Sequence, residues 1–234
     1  MPAGLLLSFD AHTTQTERHR AQAGASAGVK NRVWKLLIAA KLRQQSAVLC
    51  HYTENDAGLS AMARRVRSGD LQNLEAGAAR RYWPRLLGVE FRRSRGGPPP
   101  NDLLNYGHSV LRAAAARAVA AAGLIPTLGV HHRNRGNPFC LADDLIEPYR
   151  PYVDWRVKGM LFDANLPPPL DRSAKAALLS LFNETVLVGD RRLPLLLAFH
   201  ASAASLCRML TDNGKELLLP DGLPITEPEA DEDA

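Results

Sequence analysis

Residues 101–122, NDLLNYGHSVLRAAAARAVAAA, restrict the fold more than any other stretch of this chain. Alanine loses no side-chain freedom in a helix, and apolar residues recur at Leu103, Leu104, Val110, Leu111 and Ala114. The stretch therefore reads as a long core helix, capped by Asn101 or Asp102 and ended near Gly123, with Pro126 beyond it. Aromatics are only 6% of the 234 residues while hydrophobic residues reach 46%, which favours helices packed through small side chains over an aromatic-rich sheet. The expected fold class is mainly α, with ample apolar content for a core.

The flanking pattern agrees. Residues 14–49 read as helical, with a stripe of Val29, Val33, Leu36, Leu37, Ala40 and Leu42 and bases between them. Residues 59–67 read as a short basic helix stopped by Ser68-Gly69. Asp70 reads as the N-cap of a further helix with Leu71, Leu74, Ala78 and Tyr82 on its apolar face. The segment 91–101, FRRSRGGPPPN, reads as an exposed, mobile loop, and His108 as a structural histidine. A helix is expected from about Leu141 to Asp154, a linker at 165–170, and a helix from a capping Ser173 to Phe182. Two short strands flank Gly189-Asp190 over residues 185–197, and a last helix spans 198–210. Residues 2–9 read as a lone extended segment. There is no GxxxxGK and no GxGxxG, so nucleotide hydrolysis on a phosphate-cradling loop has no support.

Net charge is +5 and unevenly spread: residues 61–95 hold nine arginines against Asp70, Glu75 and Glu90, whereas residues 227–233 hold five acids and no base. A basic middle and an acidic end point to a polyanionic partner and a disordered, solvated tail. Cys50, Cys140 and Cys207 are odd in number and far apart, with no CxxC pair, so neither a disulfide scaffold nor a zinc ribbon is expected. The start MPAGLLLSFD lacks a basic n-region, and the longest apolar stretch, residues 193–207, is too short for a membrane span. A cytoplasmic protein is expected.

Chemistry concentrates in residues 128–154, LGVHHRNRGNPFCLADDLIEPYRPYVD. His131 and His132 precede a polar turn carrying Arg133 and Arg135, and Asp143, Asp144 and Glu147 follow on the expected helix. Spacings of three and four put Asp143 or Asp144 on nearly one face with Glu147, where like charges repel by a few tenths of a kcal/mol, roughly. The helix dipole favours acids in a first turn, and Glu147 is placed to pair with Arg150. A bound cation would offset the repulsion more directly. Glu75 lies four residues after Leu71 on an inward stripe. It reaches solvent, pairs with Arg67 or Arg81, or faces a metal. Two carboxylates and one imidazole make a hard oxygen/nitrogen site suited to Mn²⁺ or Mg²⁺. Such an ion polarises a phosphodiester and activates an attacking hydroxyl. One histidine ring would be the ligand while the other contacts phosphate or packs.

Three segments then carry a resemblance: NLEAGAARRYW from Asn73, LLNYGHSVLRAAAARAVAAAGLIPTLGVHHRNRGNPFCLADDLIEPYRPYVD from Leu103, and LLLAFHASAASLCRML from Leu195. In order and spacing they resemble the CRISPR-associated integrase family (Cas-one), the spacer-acquisition endonuclease, in the form found beside type II systems. The resemblance runs from residue 1 to roughly 220. It implies that Glu75, His132 (closing the GxxH turn) and Glu147 (closing the DLxE motif) are catalytic and hold Mg²⁺ or Mn²⁺, with Asp144 and His131 in support. It implies joining of duplex prespacer 3′-hydroxyls to phosphodiesters of a CRISPR repeat. The implied partners are double-stranded DNA, the small dimeric adaptation protein Cas-two, a second integrase copy and the type II effector, with no membrane. Arg64, Arg65, Arg67, Arg80, Arg81, Arg133 and Arg135 are expected to meet DNA phosphates. The layout implied is residues 1–12 as the remnant or exit of a missing N-terminal β-domain, 13–220 as the helical catalytic domain with a small C-terminal β-hairpin, and 221–234 as an acidic, disordered tail. The alternative expectation is a truncated, non-catalytic DNA-binding or assembly fragment. A phosphohydrolase for small phosphates is a weaker third, since the arginine surface is broader than a small substrate needs.

Overall fold

A computed structural model describes residues 14–162, 167–211 and 214–225 of the chain. The extended segment expected at 2–9 and the acidic run 227–233 lie outside the described residues, as does part of the linker. The helical run expected over 14–49 is two helices, α1 (Gln15–Gly24) and α2 (Ala27–Thr53). The break falls at Ser26, which is extended and accepts the Val29 N–H at 3.3 Å as an N-cap. α2 buries Val33, Trp34, Leu37, Ile38, Leu42, Val48 and Leu49 along most of its length. It is the axle around which the other elements pack.

A basic helix follows as expected, α3 (Leu59–Arg65), and then a 3₁₀ turn over Ser68–Asp70. The next helix, α4 (Leu74–Leu87), begins later than Asp70 predicts. Asn73 is its N-cap and accepts from Ala76 N at 3.3 Å, while Asp70 reaches forward to accept from Leu74 N and Glu75 N at 3.0 and 3.1 Å. Leu71 thus falls outside the helix and is 88% exposed, so it is not part of the apolar face. The two side chains Asp70 and Asn73 between them satisfy three orphan N–H groups of the first turn, each once.

The alanine-rich helix forms as predicted, α5 (Asn101–Ala121). Asn101 is its first residue and not its cap. Its buried amide turns back, accepting from Ser94 N (2.9 Å) and the Arg93 guanidinium (3.0 Å) and donating to Arg92 O and Pro98 O. The loop expected to be exposed and mobile is therefore stitched to the core helix. The helix expected over 141–154 is three pieces: α6 (Cys140–Leu145), a 3₁₀ turn at Glu147–Tyr149 and α7 (Arg150–Phe162). Pro148 and Pro151 lack the N–H groups that would bond back four residues in a continuous helix. α5 and α7 run very close: a Cβ at Gly107 would collide with the Val153 side chain.

α8 (Arg172–Leu179) is capped by Asp171, which accepts from Ala174 N at 2.9 Å, and not by Ser173. The hairpin forms as expected: β1 (Thr185–Val188) pairs antiparallel with β2 (Arg191–Pro194) in a Val186↔Leu193 register. α9 (Leu195–Thr211) starts directly from it. A third strand not foreseen, β3 (Pro220–Asp221), pairs antiparallel with the other side of β1. Its segment is tied down where Gln44 donates to Pro220 O (2.7 Å), Tyr152 to Gly222 O (2.9 Å) and Ile225 N to Thr185 O (2.8 Å). A tail beginning at 221 is thus too early, because Leu223 and Ile225 are apolar and the chain to Ile225 is packed. The architecture is mainly α with a small antiparallel sheet, and no helix among the described residues is long and apolar enough to cross a membrane.

Candidate functional site

The GxxH turn is built on one carboxylate. Asp144, on α6 and fully buried, accepts the backbone N–H groups of Val130 (2.6 Å), His131 (3.2 Å) and His132 (3.1 Å). It also accepts from the His132 ring, Nδ1 to Oδ1 at 2.7 Å. A Cβ at Gly129 would run into the His132 carbonyl and lie 2.8 Å from Asp144 Oδ2, so glycine is needed for space. With Nδ1 donating to Asp144, Nε2 of His132 is the ring atom free to accept from or ligate a cation. The same bond raises the His132 pKa, against the lowering effect of burial. His131 stacks flat on Trp34, ring centroids 3.9 Å apart and 2° from parallel, and closes that side. Gln22 of α1 pins the approach to the turn, donating to Ile125 O and Leu128 O at 3.0 Å each and accepting Ile125 N at 2.7 Å.

Beside this turn two glutamates share one cation. Lys41 Nζ on α2 lies 2.5 Å from Glu75 Oε1 and 2.6 Å from Glu147 Oε2, carboxylates 34 and 106 residues away along the chain. Arg150 Nε holds the other oxygen, Glu147 Oε1, at 2.8 Å. Burial alone would raise the Glu147 pKa, but Arg150 and Lys41 outweigh it and hold the acid at about 2. Burial alone would lower the Lys41 pKa, and Glu147 and Glu75 hold it above the ordinary lysine value. Asp143 turns the other way, to Arg112 (2.5 and 3.0 Å) and Asn137 (2.5 Å), so the three acids of the DD/E run have three different partners.

The sequence profile of the family described as CRISPR associated protein Cas1 matches residues 2–168. The CRISPR-associated endonuclease Cas1 of Neisseria meningitidis serogroup C is 34% identical over 231 residues, 97% of this chain and 75% of that protein. The chain belongs to the Cas1 family. Its fold is shared by a casposase bound to an integration product (TM-score 0.72, 19% identity, 94% of this chain and 74% of that one). It is shared as well by a chain of a partial Cas6-RT-Cas1–Cas2 complex (TM-score 0.74, 16% identity, 92% of this chain and 76% of that one). At such identities the likeness is one of fold.

For a Cas1 chain the placement of the expected residues is informative. Glu75 and Glu147 meet, while Asp144 reaches His132 and does not reach the pair. Among the described residues no three His, Cys, Asp or Glu side chains come close enough to cage an ion by themselves, and Lys41 stands between the two glutamates. The donor chemistry nevertheless suits a divalent ion: two carboxylates already enclose a cation, and an imidazole locked in the ligating tautomer lies in the adjoining turn. Arg64, Arg65 and Arg67 line a cavity of about 370 Å³ with Lys35 of α2. Arg133 and Arg135 line a groove of about 680 Å³ with Lys30 and His132. Arg80 and Arg81 lie exposed on α4 away from both, and Arg81 bonds Ala57 O at 3.2 Å. Glu75 pairs with neither Arg67 nor Arg81 but with Lys41, which sequence reasoning missed. The signal was present: Lys41 falls one turn after Leu37 and two after Trp34, on the buried face, where a cation requires a carboxylate.

Proposed function

We propose that this Cas1 chain is the catalytic part of a CRISPR-adaptation integrase that joins short duplex DNA to the array by metal-dependent transesterification. A prespacer 3′-hydroxyl attacks phosphorus in the repeat, a new phosphodiester forms, and the displaced strand leaves with a 3′-hydroxyl. One observation carries the reading: Glu75 and Glu147, from distant parts of the chain, converge on one cation position, and Glu147 lies near enough to act on the charge of His132. Glu75, Glu147 and His132 Nε2 would hold Mg²⁺ or Mn²⁺, which when bound polarises the scissile phosphate and lowers the pKa of the attacking hydroxyl. Asp144 keeps the imidazole in its tautomer. Arg150 keeps Glu147 ionised across the neutral range. The basic groove beside His132 and the basic cavity along α2 supply charge for DNA phosphates on either hand.

The casposase with its integration product and the Cas1–Cas2 complex support double-stranded DNA and a Cas2 protein as partners. The reading extends to a homodimer, to the type II effector and to action in the cytoplasm. The decisive experiment incubates labelled prespacer and a leader–repeat duplex with Mn²⁺ or Mg²⁺ and wild type, Glu75→Ala, His132→Ala or Glu147→Ala protein, supplied with Cas2. Strand joining by wild type alone is expected, and equal activity in all four would reject the assignment. The Lys41 bridge favours a second reading, in which the acid pair is structural and the chain only binds DNA. DNA retained in EDTA, with no turnover in either ion, is its signature.

A further inference from the structure

The position between Glu75 and Glu147 is filled by a side chain of the protein itself. Lys41 leaves α2 at a core-facing position and its side chain is only 13% exposed. A cation so withdrawn from water persists only where opposite charge compensates it. Compensation comes one oxygen from each glutamate, at 2.5 and 2.6 Å, while Arg150 occupies the remaining oxygen of Glu147. The four groups Lys41, Arg150, Glu75 and Glu147 sum to zero. A divalent ion entering this neutral group would leave two positive charges unmatched. With the ammonium withdrawn, the same oxygens present net negative charge around a single centre.

We propose that Lys41 is a built-in place-holder for the catalytic ion: it holds Glu75 and Glu147 together in the metal-free protein and yields its position when the divalent ion binds. Lys41 is in this sense a positioning residue. Without it the two carboxylates would repel in a poorly hydrated site, and α2, α4 and the turn before α7 would lose their shared tie. The oxygens already lie within 2.6 Å of one point, so a contraction of about 0.5 Å brings them to magnesium–oxygen bond lengths. The exchange makes ion binding a competition, in which the protein's own ammonium weakens the apparent affinity and releases the acids only to a stronger cation. This rests on the reading that Glu75 and Glu147 hold the ion.

Competition and simple structural support differ in the sign of one measurement. Mn²⁺ affinity would be measured by electron paramagnetic resonance of the free ion, and melting temperature in EDTA and in excess Mn²⁺, for wild type, Lys41→Met, Lys41→Gln and Glu75→Ala. The place-holder predicts that both lysine variants melt lower than wild type in EDTA, recover in Mn²⁺ and bind Mn²⁺ about 10-fold more tightly, within the usual range of coupling between linked ligands. Unchanged or weaker affinity in the lysine variants, with melting lowered equally in both conditions, would overturn the proposal. Lys41→Gln retains amide donors for one carboxylate, so the test stands even where Lys41→Met fails to fold without metal. Glu75→Ala separates the two levels. Binding lost in Glu75→Ala but unaltered by the lysine changes rejects the place-holder alone, whereas binding unaltered in Glu75→Ala rejects the ion site itself.

Discussion

Two buried carboxylate networks run along the same pair of helices, α4 and α7, and they have opposite character. One joins Glu75 and Glu147 through Lys41, with Arg150 behind. The other lies two turns further along α4 and one turn further along α7. There Tyr82 donates to Asp154 Oδ2 at 3.1 Å, His108 Nε2 meets Asp154 Oδ1 at 3.1 Å, and Arg93 reaches His108 Nδ1 at 3.3 Å. Burial drives the Tyr82 pKa well up and the His108 pKa down, so both stay neutral against a single carboxylate. This second network is closed, with Tyr82, Asp154 and His108 all buried. The first is open: the Glu75 side chain is 30% exposed, and His132, on whose charge Glu147 acts, is 41% exposed and faces a groove. A closed polar network fixes helices relative to one another, while an open one has valence left for a ligand.

That contrast predicts a division of labour between stability and activity. The largest effect falls at the open network: Glu75→Ala is expected to lower strand joining by about 100-fold or more, as loss of a metal-holding group does, with a smaller loss of stability than Asp154→Ala because Glu147 still compensates Lys41. Asp154→Ala is expected to do the reverse, costing about 3 kcal/mol in urea unfolding because Tyr82 and His108 lose their charged acceptor, while Mn²⁺ affinity holds. If both variants lose stability alike and keep activity, the contrast is wrong. Gly129→Ala comes next. The added methyl forces the His132 carbonyl and Asp144 apart, an overpacking cost of about 1–3 kcal/mol, and activity should fall further than stability does.

The smallest effect is a pH dependence that separates the two histidines. Burial depresses the His108 pKa below 6.5, so the unfolded chain takes up its proton first as pH falls. The His108 contribution is thus present above about pH 6.5 and lost as pH falls through its folded value. His132, raised by Asp144, acts with the opposite sign: its contribution is present below about pH 6.5 and lost as pH rises through its folded value. Urea midpoints between pH 5 and 7.5 should show less acid sensitivity in His108→Gln than in wild type. Greater acid sensitivity in that variant would place the charged form of His108 in the closed network.

The sequence disclosed these regions unevenly. The alanine face of α5, the stripe of α2 and the hairpin about Gly189-Asp190 follow from periodicity and turn chemistry, which act locally. Boundaries at Asn73, Asn101 and Asp171 did not: Asp70 and Asn73 compete at one helix start, Asp171 and Ser173 at another, and Asn101 turns back to the preceding loop and does not cap its own helix. The break of the 141–154 helix was written in Pro148 and Pro151, but the acid spacing, read as one face, concealed it. Glu75, His132 and Glu147 were reachable as chemical types and through the family resemblance. The buried register of Lys41 marked it as a cation in need of a carboxylate, but which acids answer it, 34 and 106 residues away, is a relation that no local pattern contains.

In the proposed function one divalent ion would meet both glutamates and the Nε2 atom of His132. Electron spin-echo spectroscopy of Mn²⁺ bound to the protein reads that imidazole directly, through coupling to a single ¹⁴N nucleus. A ¹⁴N coupling in wild type that persists in His131→Ala and vanishes in His132→Ala is the predicted result. A coupling that survives His132→Ala, or bound Mn²⁺ without any ¹⁴N coupling in wild type, would contradict it.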